Sequence, residues 1–141
     1  MRYYMPLLLM FASFTLASCA PSRERADIML AVACEASVKA TFTDPKDHIE
    51  VKKATFAPQK AYDGARLRVV TLKAQYTYGE SQPDDKTYTC AYTEEWSLLS
   101  YLPEFYNMQK GDEQYGNFNG TIVGDTAVLM KINDANQKSL H

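Results

Sequence analysis

At 141 residues, with a formal charge of −2 and charged residues of both signs making up 23%, the chain has room for one domain and no block of a single charge. That excludes a basic stripe for nucleic acid and a polybasic patch for anionic lipid. With 46% hydrophobic residues, it carries enough apolar material for a real core.

The first element is an apolar run. Arg2 precedes an uncharged stretch from Pro6 to Leu16, shorter than the roughly 20 apolar residues that a transmembrane helix needs but of the form of a secretory signal. The run ends in Leu16-Ala17-Ser18-Cys19, which resembles the lipobox of bacterial lipoproteins. The resemblance implies removal of residues 1–18, a diacylglyceryl thioether and usually an N-acyl chain on Cys19, and two or three chains that hold the product on a membrane. In enterobacterial sorting, an Asp after the lipidated cysteine tends to retain a lipoprotein at the inner membrane. Ala20 here implies the outer membrane, facing the periplasm. The alternative is a soluble exported product cut at an Ala-x-Ala-like site within residues 17–20. On the lipoprotein reading, residues 19–26 are the lipidated N-terminus and a short tether, and residues 27–141 form one domain close to the lipid surface.

The next element reads as a helix. Leu30, Ala31, Cys34, Val38 and Phe42 recur at three- and four-residue steps, with Ser22 or Asp27 as cap and the Glu35/Lys39 pair on the outer face. Asp44-Pro45 ends it, because the residue before a proline is pushed out of the α region. Strands follow at residues 49–57, closed by Pro58, and at 66–78, where Val70, Leu72, Ala74, Tyr76 and Tyr78 share a face. The adjacent Val69 and Val70 suggest a bulge. After a polar loop at 79–85, residues 86–96 return as a strand with Tyr88, Cys90, Tyr92 and Trp96 on one face.

Beyond Trp96 the pattern weakens. Residues 97–102 read as one or two helical turns, Pro103 as the start of another through Tyr106, and 111–120 as a loop on composition. Residues 126–133 fit either a strand or a short helix capped by Asp125, and 134–141 read as a frayed tail. The expected fold is α+β, an N-terminal helix on a small antiparallel sheet of about three strands.

Assigning Cys19 to lipid leaves Cys34 and Cys90 as an even pair, which in an oxidising compartment reads as one disulfide; two separate buried thiols are the alternative. The inward faces expected for both cysteines agree with a bridge between helix and sheet. Neither belongs to a Cys-x-x-Cys motif, so redox catalysis is not expected.

Motifs for other chemistry are missing. His48 and His141 are the only imidazoles, and Asp112, Glu113, Asn117 and Asn119 do not have EF-hand spacing, so no metal or other cofactor is expected. No Gly-x-Ser-x-Gly elbow occurs, and Glu94 and Glu95, adjacent on a strand, point to opposite sides. The expectation is therefore a non-enzymatic, lipid-anchored component that binds another envelope protein, with Trp96, Tyr101, Phe105 and Tyr106 as candidate contacts because such side chains anchor protein interfaces. Residues 33–92 also resemble small bacterial exported domains of unknown function. Tyr88-Thr89-Cys90 is similar to the Tyr-x-Cys of C-type lysozyme-inhibitor lipoproteins, which are small β-barrels, and implies inhibition of a cell-wall hydrolase as the alternative activity.

Overall fold

The computed structural model describes residues 19–141; the expected leader, residues 1–18, lies outside them, and with it Leu16, Ala17 and Ser18 of the lipobox-like motif. The chain order is α1 (Arg23–Ala40), β1 (Asp47–Lys60), β2 (Arg66–Tyr78), β3 (Asp84–Trp96), β4 (Tyr101–Lys110), β5 (Glu113–Phe118), β6 (Thr121–Val123) and α2 (Thr126–Leu140). The fold is α+β, and the six strands form one antiparallel meander in the order β1-β2-β3-β4-β5-β6. About three strands had been expected, so the sheet is twice as wide.

Helix α1 begins where Ser22 accepts a hydrogen bond from the Arg25 N–H, an N-cap that satisfies one free donor of the first turn. Asp27, the other candidate cap, lies inside the helix. Ala26, Leu30, Ala33, Cys34, Ser37 and Val38 form the buried stripe, and the Glu35–Lys39 pair closes on the outer side at 2.6 Å. That stripe lies across the centre of the sheet, over the face carrying Val70, Leu72, Tyr88, Cys90, Tyr92 and Met108.

The bulge expected at Val69 and Val70 is not there, since β2 runs in unbroken register with β3 through both residues. Bulges occur instead in β1 at Val51/Lys53 and opposite Ala91/Tyr92, where Tyr106 is the extra residue of β4. β1 also extends past Pro58 to Lys60, because it is an edge strand and a missing N–H on its outer side breaks no ladder bond.

Three other expectations in the last third give way. Residues 101–110 are strand, not helical turns: Pro103 pairs with Glu94 of β3, while β5 reaches β4 only between Asn107 and Lys110, so the imide of Pro103 faces an unpaired side. Residues 111–120 are not one loop. Gly111-Asp112 and Asn119-Gly120 make two tight hairpins around β5, with φ of +53° at Asn119 and +82° at Gly120, the turn conformation that Asn-Gly favours. Gly116 of β5 is required by close approach, since a Cβ there would lie 2.5 Å from the Tyr106 carbonyl oxygen.

Residues 126–133 form helix rather than strand, and the helix continues through the residues expected to fray. Asp125 caps α2 by accepting from the N–H groups of Ala127 and Val128, and Val128, Ile132, Asn136 and Leu140, four residues apart, form its inward stripe. Asn136 is the polar member. Its amide donates to Ser37 Oγ at 2.8 Å and to the Ile132 carbonyl at 2.9 Å, and its oxygen accepts from the Tyr92 hydroxyl at 3.0 Å. One side chain therefore joins α2, α1 and β3 with its hydrogen-bonding capacity satisfied, as burial demands.

A disulfide joins Cys34 to Cys90, residues 56 apart in sequence, with both completely buried. A bridge closing a loop of that length stabilises by roughly 4 kcal/mol on the chain-entropy model. The expected outcome for the Cys34→Ala/Cys90→Ala variant is an unfolding free energy, read from urea titration, lowered by about that amount, with unfolding still cooperative; a free energy within about 1 kcal/mol of the parent's would show that the helix is held by packing alone.

Candidate functional site

The strands place different chemistry at the two ends of the sheet. Within β3, Tyr88 and Trp96 lie eight residues apart, which in a strand spans roughly 26 Å. Cys19 belongs to the Trp96 end. It is exposed and free, and the next residue, Ala20, donates its N–H to the Leu98 carbonyl in the β3–β4 turn at 3.4 Å.

Ion pairs brace this end. Arg23 on the first turn of α1 grips Glu94 of β3 through both terminal nitrogens, at 2.9 and 2.6 Å, and also meets Asp27 at 2.6 Å. Asp27 in turn receives two bonds from Arg68 of β2, at 2.9 and 2.6 Å, and Tyr101 donates to Glu94 at 2.6 Å. The fork shape of the guanidinium suits such two-point pairing. Burial alone would raise the Asp27 carboxyl, but the hydrogen bonds from Arg68 and Arg23 carry it below its ordinary value.

The four aromatic residues singled out as candidate contacts do not form one surface. Trp96 stacks on Tyr101 with ring centroids 4.3 Å apart, and the Arg23 guanidinium lies 5.1 Å from the Trp96 centroid. Phe105 packs edge-on to Tyr92 at 6.1 Å at the margin of the core, and Tyr106 is half-buried in the β4 bulge. Tyr88-Thr89-Cys90 lies within an open sheet whose Cys90 face is covered by helix, not in a closed barrel.

The opposite end holds an open cleft of about 780 Å³. It forms because the core-facing alternation of β2 and β3 runs on past the end of α1 at Ala40, leaving aromatic residues with no helix above them. Phe42, Tyr76, Tyr88 and Tyr115 supply its apolar walls, with Val128 of α2 at the side. Four carboxylates, Asp47, Asp85, Asp112 and Glu113, face two lysines, Lys86 and Lys110. The lining is thus acidic in balance.

Most of these groups are already engaged. Lys110 donates to Thr41 Oγ1 at 3.1 Å, lies 3.5 Å from Glu113 and sits 5.1 Å from the Phe42 centroid. The Tyr76 hydroxyl donates to Asp47, which pushes its pKa up to about 12, and burial together with a bond to Glu113 does the same for Tyr115. Tyr88 differs. The residue is only 3% exposed and burial raises its pKa, yet its hydroxyl is not sealed in: it makes no hydrogen bond to another described residue and stays open to the cleft. It is free to donate to, or accept from, whatever enters. All of these phenols stay neutral at physiological pH and present donors and acceptors, not nucleophiles.

Among the described residues, no three His, Cys, Asp or Glu side chains are placed to hold a metal ion, and no helix is long and apolar enough to cross a membrane. The cleft was not singled out by sequence motifs. The available signal was a mismatch of lengths: Asp44-Pro45 bars the helix from running further, and it in fact ends at Ala40, while Tyr76 and Tyr78 continue the alternation of the strand. No family model, curated protein or solved structure matches this chain.

The ion-pair cluster sets an acid dependence. The folded-state pKa of Asp27 is depressed, so its contribution is fully present above the unfolded carboxylate value of about 4 and is lost as the pH falls through the lower folded value. The expected result for Asp27→Asn is a stability loss of about 2 kcal/mol at neutral pH and a shallower decline below about pH 4, read as urea midpoints across the pH range. An acid limb as steep as the parent's would place the effect on other carboxylates.

Proposed function

We propose that the protein is a lipid-anchored component of the bacterial envelope, attached through Cys19 at the outer membrane and facing the periplasm, that acts by binding another envelope protein rather than by catalysis. The observation that carries this reading is the separation of its two exposed chemistries. Cys19 stands free at one end of the sheet, the other two cysteines being joined, and the cleft opens at the far end. Lipid on Cys19 then leaves the cleft clear of the membrane surface.

The lining indicates what the cleft takes. Flat aromatic walls, an excess of carboxylate acceptors and the unpaired Tyr88 hydroxyl suit an extended partner segment that brings donors and positive charge.

Two substitutions and one probe test the reading. Cys19→Ser is expected to move the protein from the membrane fraction to the soluble periplasmic fraction; retention on the membrane contradicts the anchor. A photo-crosslinking residue at Thr87, inside the cleft, is expected to capture one discrete envelope protein in intact cells, and Lys110→Glu to change the yield several-fold. The same probe at Lys131, on the exposed face of α2, is expected to capture nothing. Equal capture at Thr87 and Lys131 contradicts the cleft as the binding site.

A further inference from the structure

The turn between β3 and β4 is built in a way that neither the core nor the cleft explains. Leu98 and Leu99 at its tip are 92% and 72% exposed, although a four-residue polar turn would have served the hairpin. Their neighbours continue the apolar character. Trp96 is 43% exposed and Leu102 48%, and on the adjoining helix Ile28 is 57% exposed. Scattered apolar residues on a surface need no explanation, but a projecting pair beside an exposed tryptophan does.

Much of the backbone of this tip is bonded through Ser97. Ser97 accepts from the N–H groups of Leu99 and Ser100 at 3.3 and 2.9 Å, its own N–H donates to the Ser100 carbonyl at 2.9 Å, and its hydroxyl meets that of Ser100 at 2.7 Å. The Leu98 carbonyl takes the Ala20 N–H. These bonds matter because unsatisfied backbone groups are what bars irregular chain from an apolar phase. The turn therefore exposes leucine side chains while five of its eight backbone polar groups are bonded, the Leu98 N–H and the Ser97 and Leu99 carbonyls being left for water or lipid headgroups.

The position of the tip names its occupant. Ala20 is bonded to it, Cys19 precedes Ala20, and the uncharged run from Pro6 to Leu16 leads to this same point in sequence. A groove of about 460 Å³ beside Cys19 is lined by Pro21, Ile28, Met29 and Tyr101, with Arg25 at its rim. Apolar surface, an interfacial tryptophan and a cation beside the attachment point are what a phospholipid surface meets favourably.

We propose that the β3–β4 turn is a membrane-docking tip: Leu98 and Leu99 enter the outer acyl region of the bilayer, Trp96 sits at the headgroup level, and the groove beside Cys19 receives the upper part of its acyl chain. The inference rests on the anchor proposed above and adds an orientation to it. A lipid on a flexible residue permits any tilt. A second contact at the turn stands β3 and α1 upright and holds the cleft roughly 26 Å from the lipid surface. Exposed charges at this end, Glu24, Arg25 and Glu95 together with Lys60, Asp63 and Arg66 around the β1–β2 turn, limit the depth to that of the β3–β4 turn.

Trp96 is the only tryptophan in the chain and so reports directly on the docking. The full-length protein, purified from envelopes and reconstituted into vesicles containing phosphatidylcholine brominated near the top of the acyl chains, is expected to sediment with the vesicles and to show Trp96 emission that is blue-shifted and strongly quenched. Leu98→Asp/Leu99→Asp alters only exposed side chains; it is expected to sediment equally well yet lose most of the quenching and shift to the red. A parent protein that stays in the supernatant overturns the anchor and the docking together. One that sediments with Trp96 unquenched, including one whose turn is buried against a second copy, overturns the docking and leaves the anchor standing. Quenching that persists undiminished in the double variant overturns the role assigned to the turn.

Discussion

The bond between Cys34 and Cys90 is the constraint from which the rest of the arrangement follows. It pins the middle of α1 to the middle of β3, so the helix crosses the sheet with its N-terminus at Glu94 and its C-terminus beside the cleft, where Thr41 meets Lys110. Two polar networks then lock what the bond has placed. Arg23, Asp27, Arg68 and Glu94 hold the first turns of the helix, while Ser37, Asn136 and Tyr92 clasp α2 against α1 near the bond itself. At the far end Lys110 reaches Thr41 and the Phe42 ring. With the centre covered, the two ends are left to face solvent, and they differ in chemistry.

How much of this was legible in the sequence depended on whether local pattern and tertiary need coincided. They coincided for α1 and for β2 and β3, where period 3.6 and period 2 each lay on a fully buried face, and the even pair of cysteines tied the two together. They diverged after Trp96. In β4 the bulge at Tyr106 shifts the alternation by one residue between Phe105 and Met108, so Tyr101, Pro103 and Phe105 point inward on one count and Met108 and Lys110 on the next. A proline inside the strand hid it further. The hairpin signals themselves were present, Gly111-Asp112 and Asn119-Gly120, but the polar residues between them read as loop by composition. For α2, Asp125 and the four-residue steps from Val128 to Leu140 were readable only when followed past Asn136, whose polarity interrupts the apolar stripe.

The candidate site was less legible, and for a physical reason. A cleft arises from the difference between the length of a helix and the length of the strands beneath it, and no short motif encodes that difference. Tyr76 and Tyr88 looked like core residues because most of each side chain is indeed covered. What makes Tyr88 notable is the hydroxyl left without a partner at the edge of cover, which only the three-dimensional arrangement reveals. Trp96 and Tyr101 were picked out as contacts for a protein partner, but they lie at the Cys19 end and engage Arg23, whereas Phe105 supports Tyr92. The aromatic content of the second half thus divides among core, cleft and the end that carries Cys19.

With the anchor proposed at Cys19, this division makes the molecule an upright spacer with a cleft at its far end. The reading turns on the chemical fate of three sulfurs. The most direct test is the intact mass of the mature protein from native envelopes, before and after thiol alkylation under denaturing, non-reducing conditions. The expected mass is that of a chain beginning at Cys19, increased by a diacylglyceryl group with or without a further acyl chain, with no alkylation until the Cys34–Cys90 bond is reduced. A chain whose Cys19 is alkylated without reduction, or one that begins at Ala20, would contradict the account.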